Sequence, residues 1–101
     1  MGDVRTFEQP AEMIAKWEEY SQGDGYSIVY VTGGSDPATG KNWCPDCTEA
    51  KPFVDAAISQ AKCPVFVGYV MDRNTWVGVG THPYKMHSVF KAKGVPTLML
   101  F

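Results

Sequence analysis

The sequence predicts an α/β fold in which helices cover both faces of a central sheet. Two observations carry this. Apolar runs of strand character alternate with stretches of helical period. Pro10, Pro45 and Pro83 stand where helices open, positions at which the missing N–H costs nothing. The order reads strand, helix, strand, helix, strand, helix, strand, and such alternation links strands through crossover helices. The chain has 101 residues, 45% hydrophobic and 13% aromatic, which suits one globular domain over 1–101. It excludes a multidomain enzyme, a long coiled coil and a disordered chain.

Val4 to Phe7 reads as a short first strand. After Pro10, the residues Met13, Ile14, Trp17 and Tyr20 form one apolar stripe at helical spacing, and Gly23-Asp24-Gly25 ends that helix. Tyr26 to Thr32 is β-branched and aromatic between glycines, so it predicts a strand. Gly33 to Asn42 is a long polar loop. Pro45 opens a second helix, with Phe53, Val54, Ala57, Ile58 and Ala61 as its expected buried face. Val65 to Met71 is almost continuously apolar, as in a parallel strand buried on both sides. A second polar loop, Asp72 to Thr81, holds Trp76, expected to anchor it. His82-Pro83 starts a third helix, expected to run through Tyr84, His87, Val89 and Phe90 until Gly94. Val95-Pro96 precedes the terminal strand, since Pro96 cannot donate within a ladder.

Nine Lys and Arg against eleven Asp and Glu give a net charge of -2. No window is basic, so the footprint of a nucleic-acid binder is missing. No apolar run approaches the ~20 residues of a membrane span, and Met1 to Met13 has no signal-peptide stretch. The expected setting is cytoplasmic. Met1 to Thr6 fits the loose myristoylation pattern, but without a basic second signal it reads as an ordinary start.

The chain carries three cysteines, too few for a disulfide scaffold. Cys44 and Cys47 are paired by spacing, which points to redox chemistry or a metal. With Pro45 at the first helical position, Cys44 becomes the N-cap and Cys47 the third helical residue. Residues three apart on a helix lie ~5–6 Å from each other, within disulfide range. A thiolate at Cys44 would accept the Cys47 amide and feel the positive helix end, so its pKa is expected to fall. It would attack a substrate disulfide, and Cys47 would then attack the Cys44 sulfur and release reduced substrate. Asp46 opposes the thiolate and should leave the pair less oxidising, with Lys41 a possible offset. Asp46 and, more remotely, Asp36 are candidate proton acceptors for Cys47. A zinc site would need Cys63, His82 or His87 to join the pair. The plainer readings are Cys63 as a buried small hydrophobe and both histidines as structural. Trp43 packs beside the cysteines.

Trp43-Cys44-Pro45-Asp46-Cys47 after the second strand, Pro52 in the helix, and Gly94-Val95-Pro96-Thr97-Leu98 form an ordered set that resembles the thioredoxin superfamily. The Pro-Asp dipeptide and the long loop before it resemble the thioredoxin domain-containing protein 17 family. That resemblance implies a thioredoxin-like fold with a central mixed sheet. It implies Cys44 as nucleophile, Cys47 as resolving thiol, and Pro45 and Asp46 as residues that set the potential. Trp43, Val95 and a cis Pro96 would meet the substrate. Such proteins reduce cystine, other small disulfides and selected protein disulfides. They bind no cofactor and are recharged by thioredoxin reductase with NADPH, and peroxidase activity is associated with them. The loops Gly33 to Asn42 and Asp72 to Thr81 would narrow access. Against that pattern a final strand and helix are missing, so a shortened chain is expected, with Thr97 to Phe101 an uncovered edge or an edge-paired dimer. Two further readings remain at this point: a binding module that uses its cysteines little, and a glutathione-linked enzyme.

Overall fold

The third strand organises the fold because both of its faces and both of its edges are occupied. The computed structural model describes residues 3–101, so the myristoylation reading falls partly outside the described residues. Strand β1 spans Val4–Phe7, helix α1 Pro10–Ser21, strand β2 Ile28–Gly33 and helix α2 Pro45–Ser59. Strand β3 spans Val65–Val70, helix α3 Pro83–Met86 and strand β4 Thr97–Leu100, with a 3₁₀ turn at Arg73–Thr75. The sheet order is β1-β3-β2-β4. β1 and β2 pair with β3 in parallel, and β4 pairs with β2 antiparallel.

Alternation along β2 and β3 divides the core into two layers. Val29, Val31, Phe66 and Val70 face α1, where Met13, Trp17, Tyr84 and Phe90 complete the larger cluster. Tyr30, Val65 and Val67 face α2, meeting Val54, Ile58 and Ala61. Helices therefore cover both faces, and the apolar run from Val65 is a doubly buried parallel strand as its composition indicates. In β4, Met99 packs on the α1 side, while Leu98 and Leu100 lie on the other face, opposite Tyr30 and Ile28.

Several expectations need correction. Strand β2 begins at Ile28, because Tyr26 is 73% exposed and its carbonyl accepts the Tyr20 hydroxyl at 2.9 Å. The face of α2 was expected to bury Phe53 and Ala57, yet Phe53 is 77% exposed and Ala57 is exposed too. The inward stripe is Cys47, Val54, Ile58 and Ala61, about one helical face around from Phe53. Cys63 is half-buried rather than buried. The third helix stops at Met86, eight residues before Gly94. His87 turns extended, and its Nδ1 accepts the amides of Val89 and Phe90 at 3.2 Å. A side chain that takes those amides removes them from a helical ladder.

Gly68 sits where β3 meets Tyr84. A Cβ there would strike the Tyr84 hydroxyl, and Met13 Cε at 3.0 Å. That hydroxyl is buried and lacks a hydrogen-bond partner among the described residues. Gly68→Ala should therefore destabilise the protein by about 1–3 kcal/mol through overpacking, read as a lower urea midpoint. Tyr84→Phe removes an unpaired buried hydroxyl, so it should leave the midpoint unchanged or raise it, and it should recover part of the Gly68→Ala loss.

Candidate active site

The site forms where the chain leaves β2, crosses a loop and enters α2. Gly33 closes β2, and its amide donates to Cys47 Sγ at 3.3 Å. The Gly33 carbonyl accepts the Asn42 side-chain amide at 2.8 Å, and Asn42 Oδ1 in turn accepts the Cys44 amide at 2.9 Å. One side chain thus ties the strand end to the first cysteine. A Cβ at Gly33 would meet Asn42 Oδ1 at 2.8 Å and the Cys44 Cβ at 2.9 Å, so the close approach needs glycine. At the end of β3, the Val70 carbonyl accepts two donors: the Gly34 amide at 2.9 Å and the Trp43 indole at 2.6 Å.

Cys44 is the N-cap of α2, and its sulfur accepts the Cys47 amide at 3.2 Å. Its thiol also donates to the Val95 carbonyl at 3.8 Å. The Val95–Pro96 peptide is cis. Trp43, Cys44, Cys47, Val95 and Pro96 therefore meet at one end of the sheet, with Cys44 only 5% and Cys47 only 2% exposed. Pro45 and Asp46 are exposed on the first turn. Both cysteines are free thiols in the structure.

Burial pushes the Cys44 thiol up, to about 11, and the adjacent Cys47 thiol adds to the rise. The Cys47 amide works in the opposite direction, and the charge of Asp46 is a smaller push upward. The expected fall in pKa is thus corrected: loss of water around the sulfur outweighs the helix-end amide.

Asp36 does not join the site. Its carboxylate accepts the Ala38 amide at 2.8 Å within its own loop. Lys41 and Cys47 are both in the lining of a cavity of about 730 Å³, which Cys44 does not line. His82 is buried, accepts the Tyr84 amide on Nδ1, and has its pKa held down by burial and then by Lys85. Trp76 is a buried anchor of its loop; Lys85 Nζ lies 4.5 Å from its ring and bonds the Trp76 and Val79 carbonyls at 2.5 and 2.9 Å. His87 bonds Glu18 at 2.9 Å and stacks on Phe90. Among the described residues, no three His, Cys, Asp or Glu side chains gather as a zinc site would need. The sequence reading missed Asn42 and Gly33. An asparagine two residues before an N-cap is a recognisable local signal, because its side chain readily bonds backbone two positions on.

With this geometry in view, known proteins give a concordant result. A model of the thioredoxin domain-containing protein 17-like thioredoxin domain matches residues 4–101. The chain belongs to that family. Thioredoxin-like protein Clot of Arabidopsis thaliana is 39% identical over 72% of this chain and 55% of its own length. Thioredoxin domain-containing protein 17 of Homo sapiens is 29% identical over 87% of this chain and 74% of its own. A Leishmania infantum protein named acireductone dioxygenase is 32% identical over 82% of this chain, yet the match spans only 26% of that protein. The chain thus spans about a quarter to about half of these Leishmania and Arabidopsis relatives. The thioredoxin-like fold with a mixed sheet is the architecture of the family match.

Three substitutions at two positions test the site. Asp46→Asn removes a negative charge near Cys44, so the thiolate forms at lower pH. Alkylation of Cys44 by iodoacetamide rises with pH in both proteins, and the curve for Asp46→Asn should lie on the acid side by a fraction of a unit. Asn42→Ala leaves the Gly33 carbonyl and Cys44 amide without their partner, a loss of about 1–3 kcal/mol in urea denaturation. Asn42→Asp keeps the acceptor for Cys44 and should fall between.

Proposed function

We propose that the chain is a thiol–disulfide oxidoreductase that reduces small disulfides, such as cystine, and selected protein disulfides through Cys44 and Cys47. The observation that supports this most is the position of Cys44: an N-cap sulfur held by the Cys47 amide and turned toward the Val95 carbonyl beside Pro96. An extended disulfide lying along Val95 and Pro96, against Trp43, would bring its sulfur to Cys44. The Cys44 thiolate attacks that sulfur and forms a mixed disulfide. Cys47 then attacks Cys44 Sγ, closing the Cys44–Cys47 bond and releasing the substrate thiol. The amide that Cys47 donates to Cys44 stabilises negative charge on the departing or attacking sulfur. Pro45 fixes the first turn, and Asp46 disfavours the thiolate, which favours a reducing rather than an oxidising couple.

In this reading electrons come from NADPH through thioredoxin reductase, with no cofactor bound to the chain itself, and the protein works in the cytoplasm, where thiols stay reduced. Peroxide reduction by the same dithiol is a further expected activity. A second reading, a thioredoxin-fold binding module, draws on the burial of both sulfurs. Thiol titration after mild oxidant separates the two, since a module whose pair never closes is not a reductase.

The deciding assay follows NADPH consumption with thioredoxin reductase, cystine and this protein. Cys44→Ser should abolish turnover, and Cys47→Ser should stall at a mixed disulfide on Cys44 visible by mass. Turnover that survives Cys44→Ser would overturn the nucleophile assignment.

A further inference from the structure

His87 caps the turn after α3 with a ring nitrogen instead of an oxygen. Its Nδ1 accepts the amides of Val89 and Phe90, both at 3.2 Å. Those residues stand two and three positions on, the pattern of an N-cap. The other ring nitrogen, Nε2, donates to Glu18 Oε1 on α1 at 2.9 Å. A carboxylate only accepts, so the ring proton belongs on Nε2 and Nδ1 is left as a bare acceptor. The side chain is 11% exposed. It stacks on Phe90 with centroids 4.2 Å apart and meets Trp17 edge-on at 5.7 Å. Phe90 in turn packs on Trp17 and Phe101. The turn held in this way leads on to Val95 and Pro96, where the Val95 carbonyl accepts the Cys44 thiol.

An oxygen cap such as asparagine accepts at any ordinary pH. Imidazole does not, because it commonly gains a second proton between pH 5 and 8, and then both nitrogens donate. A proton on Nδ1 would set an N–H against two other N–H groups. The Glu18 bond survives that change, since Nε2 keeps its proton, and the carboxylate favours the charged ring. The neutral ring therefore makes three hydrogen bonds, and the charged ring keeps only the one to Glu18. Glu18 is the charged group that α1 presents to His87, beside the Trp17 ring. The chain's other histidine, His82, sits before α3 and faces Trp76, Tyr84 and Lys85 instead.

We propose that His87 is a proton-operated cap: a proton on Nδ1 releases the turn at Val89 and Phe90, so that acid loosens the segment leading to Val95 and Pro96. The device needs neither cysteine to react, and it goes beyond the redox reading. Where that reading holds, the cap makes the substrate-facing side of Cys44 sensitive to pH independently of the thiols.

The test follows amide exchange by nuclear magnetic resonance on the full chain, with each rate compared with that of a free peptide at the same pH. Between pH 7.5 and 5.5 the protection of the Val89 and Phe90 amides should fall about fivefold, the usual weight of one cap. Val67 in β3 should keep its protection. A loss that Val67 shares in step reports general unfolding and overturns the proposal. His87→Asn places an acceptor oxygen the same number of bonds from the backbone and takes up no proton. It should hold the Val89 and Phe90 protection level across that range, whereas a pH dependence that survives it belongs to another group and overturns the assignment. If the variant fails to fold, the ring nitrogens of the unsubstituted protein decide. Their nitrogen-15 shifts should place the proton on Nε2 at pH 7.5, and Nδ1 should gain its own over the range in which protection is lost. A proton on Nδ1 at pH 7.5, or a ring that charges with no loss of protection, overturns the proposal.

Discussion

The carbonyl of Val70 is the fixed point from which the site is built. It ends a strand buried along almost its whole length, and it accepts both the Gly34 amide and the Trp43 indole. Those two donors stand at opposite ends of the loop between β2 and α2. A loop of that length has many conformations, and closing it costs little more as it grows. Fixing both ends to one carbonyl of the sheet removes the freedom that matters. Asn42 then sets the remaining register by joining Gly33 to Cys44. The cysteines are thus positioned by backbone at the end of a sheet, a rigid origin for a site that needs sulfur within reach of sulfur.

Two opposing influences act on the Cys44 thiol. The helix-end amide favours the thiolate, while burial at the protein end and the neighbouring thiol disfavour it. Burial prevails here. The same burial shields both cysteines from bulk solvent.

Much of this was legible in the sequence. Proline at the first helical turn marked α1, α2 and α3, and the unbroken apolar run marked β3. The cysteine register was legible because the N-cap and the third helical position follow from Pro45 alone. Three things were not. His87 carries helix-compatible neighbours, and only its ring nitrogen competing for amides ends α3 early. Phe53 reads as core by its chemistry, but the inward direction of α2 is set by Val54 and Ile58 docking on Tyr30, Val65 and Val67. The cavity beside Cys47 brings together strand, helix and loop residues far apart in the chain, and no local pattern encodes that meeting.

The hydrogen bond from the Gly33 amide to Cys47 Sγ has a spectroscopic consequence. An amide that donates to sulfur senses how much charge the sulfur carries, and a charged acceptor strengthens the bond. The Gly33 proton is therefore a native reporter of the Cys47 sulfur. Its nuclear magnetic resonance signal would register any change of charge or bonding there, from a glycine at the end of β2.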